Sequence, residues 1–475
     1  MTKPFAKVRG SATDGRVQNP FYRKNQLKRL QETLADNATE IQGAIKKDTS
    51  HRLSEVKIEY WLALQCISEA FNSIDPDKCL AEEYHLANGQ DDPDCREPVG
   101  IVVIEPSTHA FFYSLVAALV PALVAGNCII VQTPNSLLKT PRLVVDLVRK
   151  SLDIDILDVA NQEVADQDIN HPHCRVLQNG SDGPSLRDCF TSDPKAPVAA
   201  FVERDADVEA TAKALIGARF GLQGKSPYAP DIVFVNEWIK KDMLRALVQQ
   251  STDFMIDATS LQNRGKMVRS ELLKEVEREG QTSVIFSGSS GVIMDVGSRH
   301  KVTESCLVVH SVSSMDDAID VSKRLGSLAA AYVFTTPAMA KYLCQFIDTA
   351  VAFVNQIPIK LMYSPIAPEN HPPVLDSHGL YHQDLFSRPK PKYLATTTLS
   401  EKLSRFAGSS SSHQLEALDQ EATKKLQEIV RRKKAGGMGF FNQGIVTGLV
   451  LVLTAFASGT GILGYYAVRY WRARA

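Results

Sequence analysis

Apolar residues in the N-terminal part of the chain recur with a helical period. They fall on one face of a predicted helix over residues 21–48, and charges occupy the other face; the apolar positions are Leu27, Leu30, Leu34, Ile41 and Ile45. A second helix is predicted near residues 54–74, and the polar, Asp-rich stretch that follows to residue 94 is predicted to be a loop. This part of the chain therefore predicts amphipathic surface helices.

Short β-branched runs alternate with helical patterns after residue 98. Residues 99–104 and 128–131 are apolar runs on either side of a helical pattern at 111–124, which predicts a β-α-β unit. The alternation continues with apolar runs at residues 198–202, 232–235, 284–286 and 306–310 and with a helical pattern at residues 208–218. We expect an α/β fold with two doubly wound domains.

A long apolar run lies near the end of the chain. Residues 444–468 contain no charge, and a membrane-spanning helix needs about 20 apolar residues. The alternative is a buried core helix, but such helices rarely run so long without a charge. Basic residues precede the run at 424–434 and follow it at 469–474, so the positive-inside rule places the N-terminal body in the cytosol. We expect a C-terminal anchor in the endoplasmic reticulum, the mitochondrial outer membrane or the peroxisome.

A chain of 475 residues is too long for one core, because single cores stop growing at roughly 250–300 residues. Five segments are expected. Residues 1–200 form N-terminal helices with a cofactor-type α/β domain, residues 201–360 form a catalytic-type α/β domain, and residues 361–398 return to the first domain. Residues 399–443 form a polar linker with a basic stalk helix at 414–434, and residues 444–468 form the transmembrane helix.

Composition narrows the class of partner. The formal net charge of −1 provides no field that would attract nucleic acid, so no nucleic-acid partner is expected. The eight cysteines lack the short paired spacing of zinc sites and disulfide scaffolds, and no metal site is expected. The N-terminus lacks the apolar stretch of a secretory signal. We therefore expect reduced thiols in a cytosolic body.

Residues 97–134 carry the predicted β-α-β unit and contain Ala125-Gly126-Asn127-Cys128 where the second strand begins, and this segment resembles the aldehyde dehydrogenase superfamily. Four more stretches resemble its class-3 and fatty-aldehyde branch in the same order, at residues 21–31, 229–231, 328–334 and 378–387. The resemblance covers residues 15–395. It implies the family fold, a homodimer and the oxidation of aldehydes with NAD(P).

The family's reaction needs a thiolate nucleophile, donors for an oxyanion and a carboxylate base. By resemblance the nucleophilic cysteine falls on Pro227, which has neither a thiol nor a backbone N–H. The oxyanion asparagine falls on Thr108. The general-base glutamate falls on Thr191 if Lys195-Ala196-Pro197 is the remnant of the family's Lys-Ser-Pro. The resemblance therefore implies that the family's catalytic residues are replaced.

The cofactor positions of the family also differ. The lysine and glutamate that hold the adenosine ribose fall, with one inserted residue, on Gln132 and Ser136. The turn that binds pyrophosphate is represented by Gly180 and Ser181, for which a plain surface turn is the alternative. Glu304 is the remnant of the glutamate that binds the nicotinamide ribose. We expect no resident cofactor, or NAD(P) if the chain is an active oxidoreductase.

Ser226, Cys189 and His109 are the candidates for a relocated catalytic group. A serine without a nearby base is a poor nucleophile, Asp188 opposes a lowered thiol pKa at Cys189, and a lone histidine is usually structural. The sequence therefore favours a membrane-anchored pseudoenzyme that acts as a binding or assembly module. The alternative is an NAD(P)-dependent oxidoreductase that oxidises a hydrophobic aldehyde with a relocated nucleophile.

Overall fold

The computed structural model describes residues 4–88, 95–180, 188–259, 283–287, 291–295, 301–373, 380–390, 396–407, 412–426 and 440–472. The chain divides into two compact units, Met1–Tyr393 and Leu394–Ala475. The first unit contains every strand of the described residues, and the second contains helices.

Five helices precede the first strand: Ala6–Asp14, Pro20–Asp36, Ala38–Thr49, Leu53–Ser73 and Pro76–Ala87. The predicted helix over residues 21–48 is interrupted at Asn37. Its side-chain amide donates to the Thr33 carbonyl at 2.8 Å, so a side chain satisfies a carbonyl at the end of the helix Pro20–Asp36.

The loop predicted to follow residue 74 is wrong in part, because Pro76–Ala87 is helical. The Asp75 carboxylate accepts from the amides of Asp77 and Lys78 at 3.0 and 3.2 Å, and a proline occupies the first helical position. The acidic residues that suggested a loop include this N-terminal cap. Residues 89–94 of the predicted loop lie outside the described part of the chain.

The first sheet has five parallel strands in the order β4-β3-β2-β5-β6. With the short β1 that precedes them, the strands are β1 Arg96–Pro98, β2 Ile101–Glu105, β3 Cys128–Gln132, β4 Leu157–Ala160, β5 His173–Leu177 and β6 Cys189–Thr191. The connecting helices are Phe111–Val124, Lys139–Ser151 and Asp166–Ile169. The chain leaves β2 toward β3 on one side and returns to β5 on the other. The carboxyl ends of β2 and β5 therefore form a topological switch point, where open α/β sheets bind ligands.

The second sheet has seven strands in the order β13-β12-β7-β8-β11-β10-β9, all parallel except β9, which runs antiparallel to β10. Its strands are β7 Val198–Val202, β8 Ile232–Asn236, β9 Ser283–Ser287, β10 Val292–Asp295, β11 Cys306–Val312, β12 Ala330–Phe334 and β13 Ala352–Val354. Its helices are Val208–Phe220, Lys240–Thr259, Met315–Lys323, Pro337–Phe346 and Ile359–Tyr363. The predicted α/β fold with two sheets is confirmed.

Asn127, just before β3, joins three segments next to the first sheet. Its Oδ1 atom accepts from the Gly100 amide at 2.9 Å, and its Nδ2 atom donates to the carbonyls of Ala122 and Phe386 at 3.0 and 2.9 Å. The side chain is fully buried. The strand β14 Ser387–Pro389 follows and pairs antiparallel with β1, so the last strand of the first unit returns to its first strand.

The C-terminal unit contains the helices Thr398–Ala407, Ser412–Ala422 and Phe440–Arg472. Within the last of these, residues Gln443–Arg469 form an apolar helix of 27 residues that the unit leaves entirely exposed. The predicted long apolar helix at 444–468 is therefore confirmed. The helix at the position of the predicted stalk, 414–434, ends at Ala422, and residues 423–426 are not helical. Residues 427–439 lie outside the described part of the chain.

Replacing Asn127 with alanine should lower the free energy of unfolding by roughly 1–3 kcal/mol, because the buried Gly100 amide loses its acceptor. Urea unfolding of the full chain in detergent measures the change. Asn135→Ala, at an exposed position, is the matched control and should change the midpoint little. Equal effects of the two substitutions would show that the Asn127 bonds do not stabilise the fold.

Candidate functional site

The backbone before Pro227 is strained. Leu222, Gln223 and Gly224 have φ values of 50°, 57° and 71°, in the left-handed region that favours glycine. A Cβ atom on Gly224 would lie 2.2 Å from the carbonyl carbon of Glu304, so only glycine fits there. This contact fixes the start of the segment 224–231, which we call the Pro227 loop, against the residues that precede β11.

A buried arginine organises the Pro227 loop. Arg219, at the end of the helix Val208–Phe220, is fully buried, and its Nη2 atom lies 2.8 Å from Oδ1 of Asp231. The same guanidinium donates to the carbonyls of Gly224 and Pro230 at 3.0 Å and of Ala229 at 3.3 Å. Several carbonyls of the loop are therefore acceptors for one cation.

A second cation, Lys301, whose side chain is 11% exposed, holds Pro227 itself. Its Nζ atom donates to the carbonyls of Pro227 and Ala196 at 2.5 and 2.9 Å and lies 3.1 Å from the Asp231 carboxylate. Burial lowers the pKa of Lys301, and the Asp231 carboxylate opposes that shift. Residue 227 therefore presents its carbonyl oxygen to an ammonium group, and as a proline it has no amide hydrogen to donate.

Two of the predicted candidates, Ser226 and His109, meet at Met362. The buried Ser226 hydroxyl donates to the Met362 sulfur at 3.8 Å, and His109 Nε2 lies 2.8 Å from the Met362 carbonyl oxygen. Burial lowers the pKa of His109 to about 4 against the opposing effect of that carbonyl. The imidazole is therefore neutral at pH 7, with its proton on Nε2, and the serine hydroxyl is directed at sulfur.

Two buried polar groups beside this site were missed by the sequence analysis. His51 is 5% exposed and Glu59 is 1% exposed. Glu59 Oε1 accepts from the Phe112 amide at 3.2 Å, whereas Glu59 Oε2 and His51 Nδ1 have no hydrogen-bond partner among the described residues. Burial raises the pKa of Glu59 to about 7 and lowers that of His51 to about 4. The sequence did indicate that Glu59 is buried, because Glu59 falls on the apolar helix face that contains Val56 and Ala63.

A carboxylate lies at the switch point of the first sheet. Glu105 ends β2, and its two oxygens accept from Gln132 Nε2 and Asn179 Nδ2, each at 3.0 Å. The Gln132 carbonyl oxygen in turn accepts from the Val164 amide at 2.9 Å, so both ends of that side chain are used. Asn179 Oδ1 accepts from the amide of Thr108, which is exposed. The structure thus brings the predicted positions Gln132 and Thr108 together through Glu105, which the sequence analysis did not single out.

The remaining predicted cofactor residues are spread along the chain. Gly180 follows Asn179 with a φ of 91°, and Ser181 lies outside the described residues. The exposed Ser136 hydroxyl accepts from the Leu138 amide at 3.1 Å, just before the helix Lys139–Ser151. Ser136 therefore has a local structural partner.

Thr191 and Glu304 lie in different sheets. Thr191 ends β6, and its hydroxyl lies 3.3 Å from the Cys189 thiol, so these two predicted candidates are neighbours. Glu304 lies just before β11 with its Oε2 atom buried and without a hydrogen-bond partner in the described chain.

Two of the cavities in the described structure are lined by residues of the helix Leu53–Ser73. One of about 330 Å³ is lined in part by Leu222, Met362 and Tyr363, next to the Pro227 loop. The other, of about 570 Å³, lies against the helix Phe111–Val124 and has mostly apolar walls, including Trp61 and Val120. Both fall in the size range of small-molecule sites.

Comparison with known proteins agrees with this architecture. Residues 14–179 match the profile of the aldehyde dehydrogenase family. The chain is 22% identical over 365 residues to mouse aldehyde dehydrogenase family 3 member B1, covering 69% of this chain and 77% of that protein. It is 19% identical to the dog aldehyde dehydrogenase described as dimeric and NADP-preferring, over 69% and 79% of the two chains. The structure of substrate-bound Staphylococcus aureus AldH aligns with a TM-score of 0.64 at 16% identity, over 83% of this chain and 94% of that one.

Glu59 should make the protein less stable as the pH rises. Because the folded-state pKa of about 7 exceeds the ordinary value of 4.5, the folded chain binds this proton more tightly than the unfolded chain. The free energy of unfolding should therefore fall by roughly 3 kcal/mol as the pH rises from 4.5 to about 7, and it should level off above pH 7. Glu59→Gln should remove this part of the pH dependence, and Glu69→Gln, on the same helix but exposed, should keep it. Urea unfolding at pH 5 and pH 8 measures both; parallel profiles for wild type and Glu59→Gln would contradict the assignment.

Asp231→Asn should destabilise the chain by roughly 3–5 kcal/mol, because Arg219 and Lys301 lose their shared counter-ion in a buried site. The control is Asp242→Asn, which removes an exposed carboxylate 3.9 Å from Arg245. Thermal and urea unfolding compare the two variants. If Asp231→Asn is as stable as the control, the network does not hold the Pro227 loop.

Proposed function

We propose that the chain, which matches the aldehyde dehydrogenase family over residues 14–179, is a membrane-anchored pseudoenzyme whose dehydrogenase fold serves as a binding or assembly module. The observation that carries the proposal is the Pro227 loop. Proline stands where the family has its nucleophile, and its carbonyl is an acceptor for the buried Lys301. The position thus offers neither a thiol nor an oxyanion donor, and the loop acts as a structural support.

The neighbouring side chains do not replace the lost groups. Ser226 donates its hydroxyl to a thioether instead of to a base. Thr191, at the base position, carries a hydroxyl that does not ionise at neutral pH, and its neighbour within 3.3 Å is the Cys189 thiol. Thr108, at the oxyanion position, has its amide directed to Asn179. These positions support a loss of aldehyde oxidation.

The switch point of the first sheet does not fit a dinucleotide. A pyrophosphate there would face the Glu105 carboxylate, which Gln132 and Asn179 hold in place. We therefore infer that the chain has lost NAD(P) as a resident cofactor.

We further propose that the helix Phe440–Arg472 crosses a membrane. Its apolar span Gln443–Arg469 contains 27 residues and is exposed along its length. At a rise of 1.5 Å per residue it reaches about 40 Å, which exceeds the hydrocarbon thickness of about 30 Å. The positive-inside rule favours a cytosolic body. A homodimer is proposed by analogy with the dog protein, whose name describes it as dimeric.

One observation favours the alternative of an active NAD(P)-dependent oxidoreductase. The Glu304 carboxylate, at the family's nicotinamide-ribose position, has a buried oxygen without a partner among the described residues, and a ribose hydroxyl would satisfy it. A carboxylate that accepts from a hydroxyl would position a ribose, but it supplies no nucleophile. Measurements of aldehyde oxidation and of nucleotide binding test both functions.

The full chain in nanodiscs should oxidise dodecanal with NAD or NADP no faster than empty nanodiscs, because no described residue replaces the family's nucleophile. Spectrophotometry of NADH formation measures this. Calorimetry should show no saturable binding of either nucleotide. Glu105→Gln should improve nucleotide binding if the rest of the cleft is intact, because it removes the charge that opposes phosphate.

The control for this assay is Glu69→Gln, which changes an exposed charge away from the switch point and should leave nucleotide binding unchanged. Turnover that disappears when one cysteine is changed to alanine would identify a relocated nucleophile and overturn the pseudoenzyme proposal.

A further inference from the structure

The helix Thr398–Ala407, which we call the amphipathic helix, has an uncovered apolar face. None of its residues is buried, and the side chains of Leu399 and Leu403 are 64% and 52% exposed. With Phe406 they are spaced four and three residues apart, so they share one face. The opposite face is polar, with Ser400, Glu401, Ser404 and Arg405.

An isolated helix of ten residues is marginal in water, because helices shorter than about 12–15 residues do not offset their nucleation cost. The amphipathic helix is linked to the helix Ser412–Ala422 by an ion pair of 2.5 Å between Lys402 Nζ and Glu421 Oε2. This pair joins the two helices and leaves Leu399 and Leu403 exposed. The stability of the helix therefore requires a partner for its apolar face.

We propose that this partner is the membrane, and that the amphipathic helix lies in the headgroup region with Leu399, Leu403 and Phe406 toward the acyl chains. The helix belongs to the same compact unit as the proposed membrane-spanning helix Phe440–Arg472, so the inference rests on the proposed anchoring. A continuous chain that enters the bilayer at one helix keeps the other close to its surface.

The charges around the helix agree with this placement. Arg405 lies on the polar face, and its long stem allows the cationic end to reach lipid phosphates while the apolar side chains are buried. The helix Ser412–Ala422 instead carries Glu416, Asp419 and Glu421. Those carboxylates keep it on the aqueous side of the amphipathic helix.

The test places a tryptophan on each face of the helix in the full chain. Leu403→Trp reports the apolar face, and Ser404→Trp, one position along, reports the polar face; both residues are exposed. Each variant is reconstituted in nanodiscs of phosphatidylcholine with or without brominated acyl chains, and the signal of the native tryptophans is subtracted using wild type. Brominated chains should quench most of the fluorescence added by Leu403→Trp and little of that added by Ser404→Trp.

Equal quenching of the two tryptophans, or no quenching of Leu403→Trp, would overturn the inference. A blue-shifted but unquenched Leu403→Trp signal would instead assign the face to a protein partner, such as a second copy of the chain, and would overturn it too.

Flotation of the same proteins with vesicles separates this result from the anchoring. Wild type should float, and Val450→Arg combined with Val452→Arg should release it, because arginine is unfavourable at the centre of a membrane helix. If wild type floats and Leu403→Trp is not quenched, the anchoring stands and the amphipathic-helix inference fails. If wild type does not float, the anchoring fails and this inference fails with it.

Discussion

The interior of the second sheet contains two cations, Arg219 and Lys301, that share the carboxylate of Asp231. Buried charge is tolerated only when it is paired and hydrogen-bonded, and one carboxylate cannot satisfy every N–H of a guanidinium and an ammonium. Backbone carbonyls of the Pro227 loop, together with those of Ala196 and Val302, accept the remaining hydrogens. The loop must therefore follow one path, which joins the helix Val208–Phe220 to β8 and includes the left-handed backbone before Pro227. The position of β8, which lies between β7 and β11, depends on this arrangement.

The same constraint explains why proline fits at residue 227. The network requires a carbonyl at this position and makes no use of an amide hydrogen, so the atom that proline lacks is not needed for stability. Catalysis and folding place different demands on the loop. A dehydrogenase needs the side chain and the amide of this residue, whereas the fold needs its carbonyl. Under the proposed loss of catalysis, the first demand disappears and the second remains, so the fold keeps this path of the loop.

The apolar strands could be predicted from the sequence because parallel strands covered on both faces read as continuous apolar runs, as in β2, β3 and β7. The helix Pro76–Ala87 was missed because its polar composition resembles a loop and its cap is a single aspartate. The Arg219 network was missed for another reason: its partners include the Val302 carbonyl, 83 positions away. A local pattern carries no information on such contacts. Glu59 was detectable as a charge on an apolar helix face, but its raised pKa follows from burial, which only the fold reveals.

The switch point of the first sheet shows how two neighbouring residues act together. Glu105 and Gln132 are hydrogen-bonded neighbours at the ends of adjacent strands, and Asn179 approaches the same carboxylate from the other side. A lysine at residue 132, which the resemblance to the family implies for an active member, would bring an ammonium to Glu105 and neutralise it. Glutamine supplies the hydrogen bond without the charge, so the Glu105 carboxylate has no cation beside it at the proposed phosphate position. The net charge at this edge of the first sheet therefore depends on Glu105 and Gln132 together, and neither position alone decides which ligands the cleft accepts.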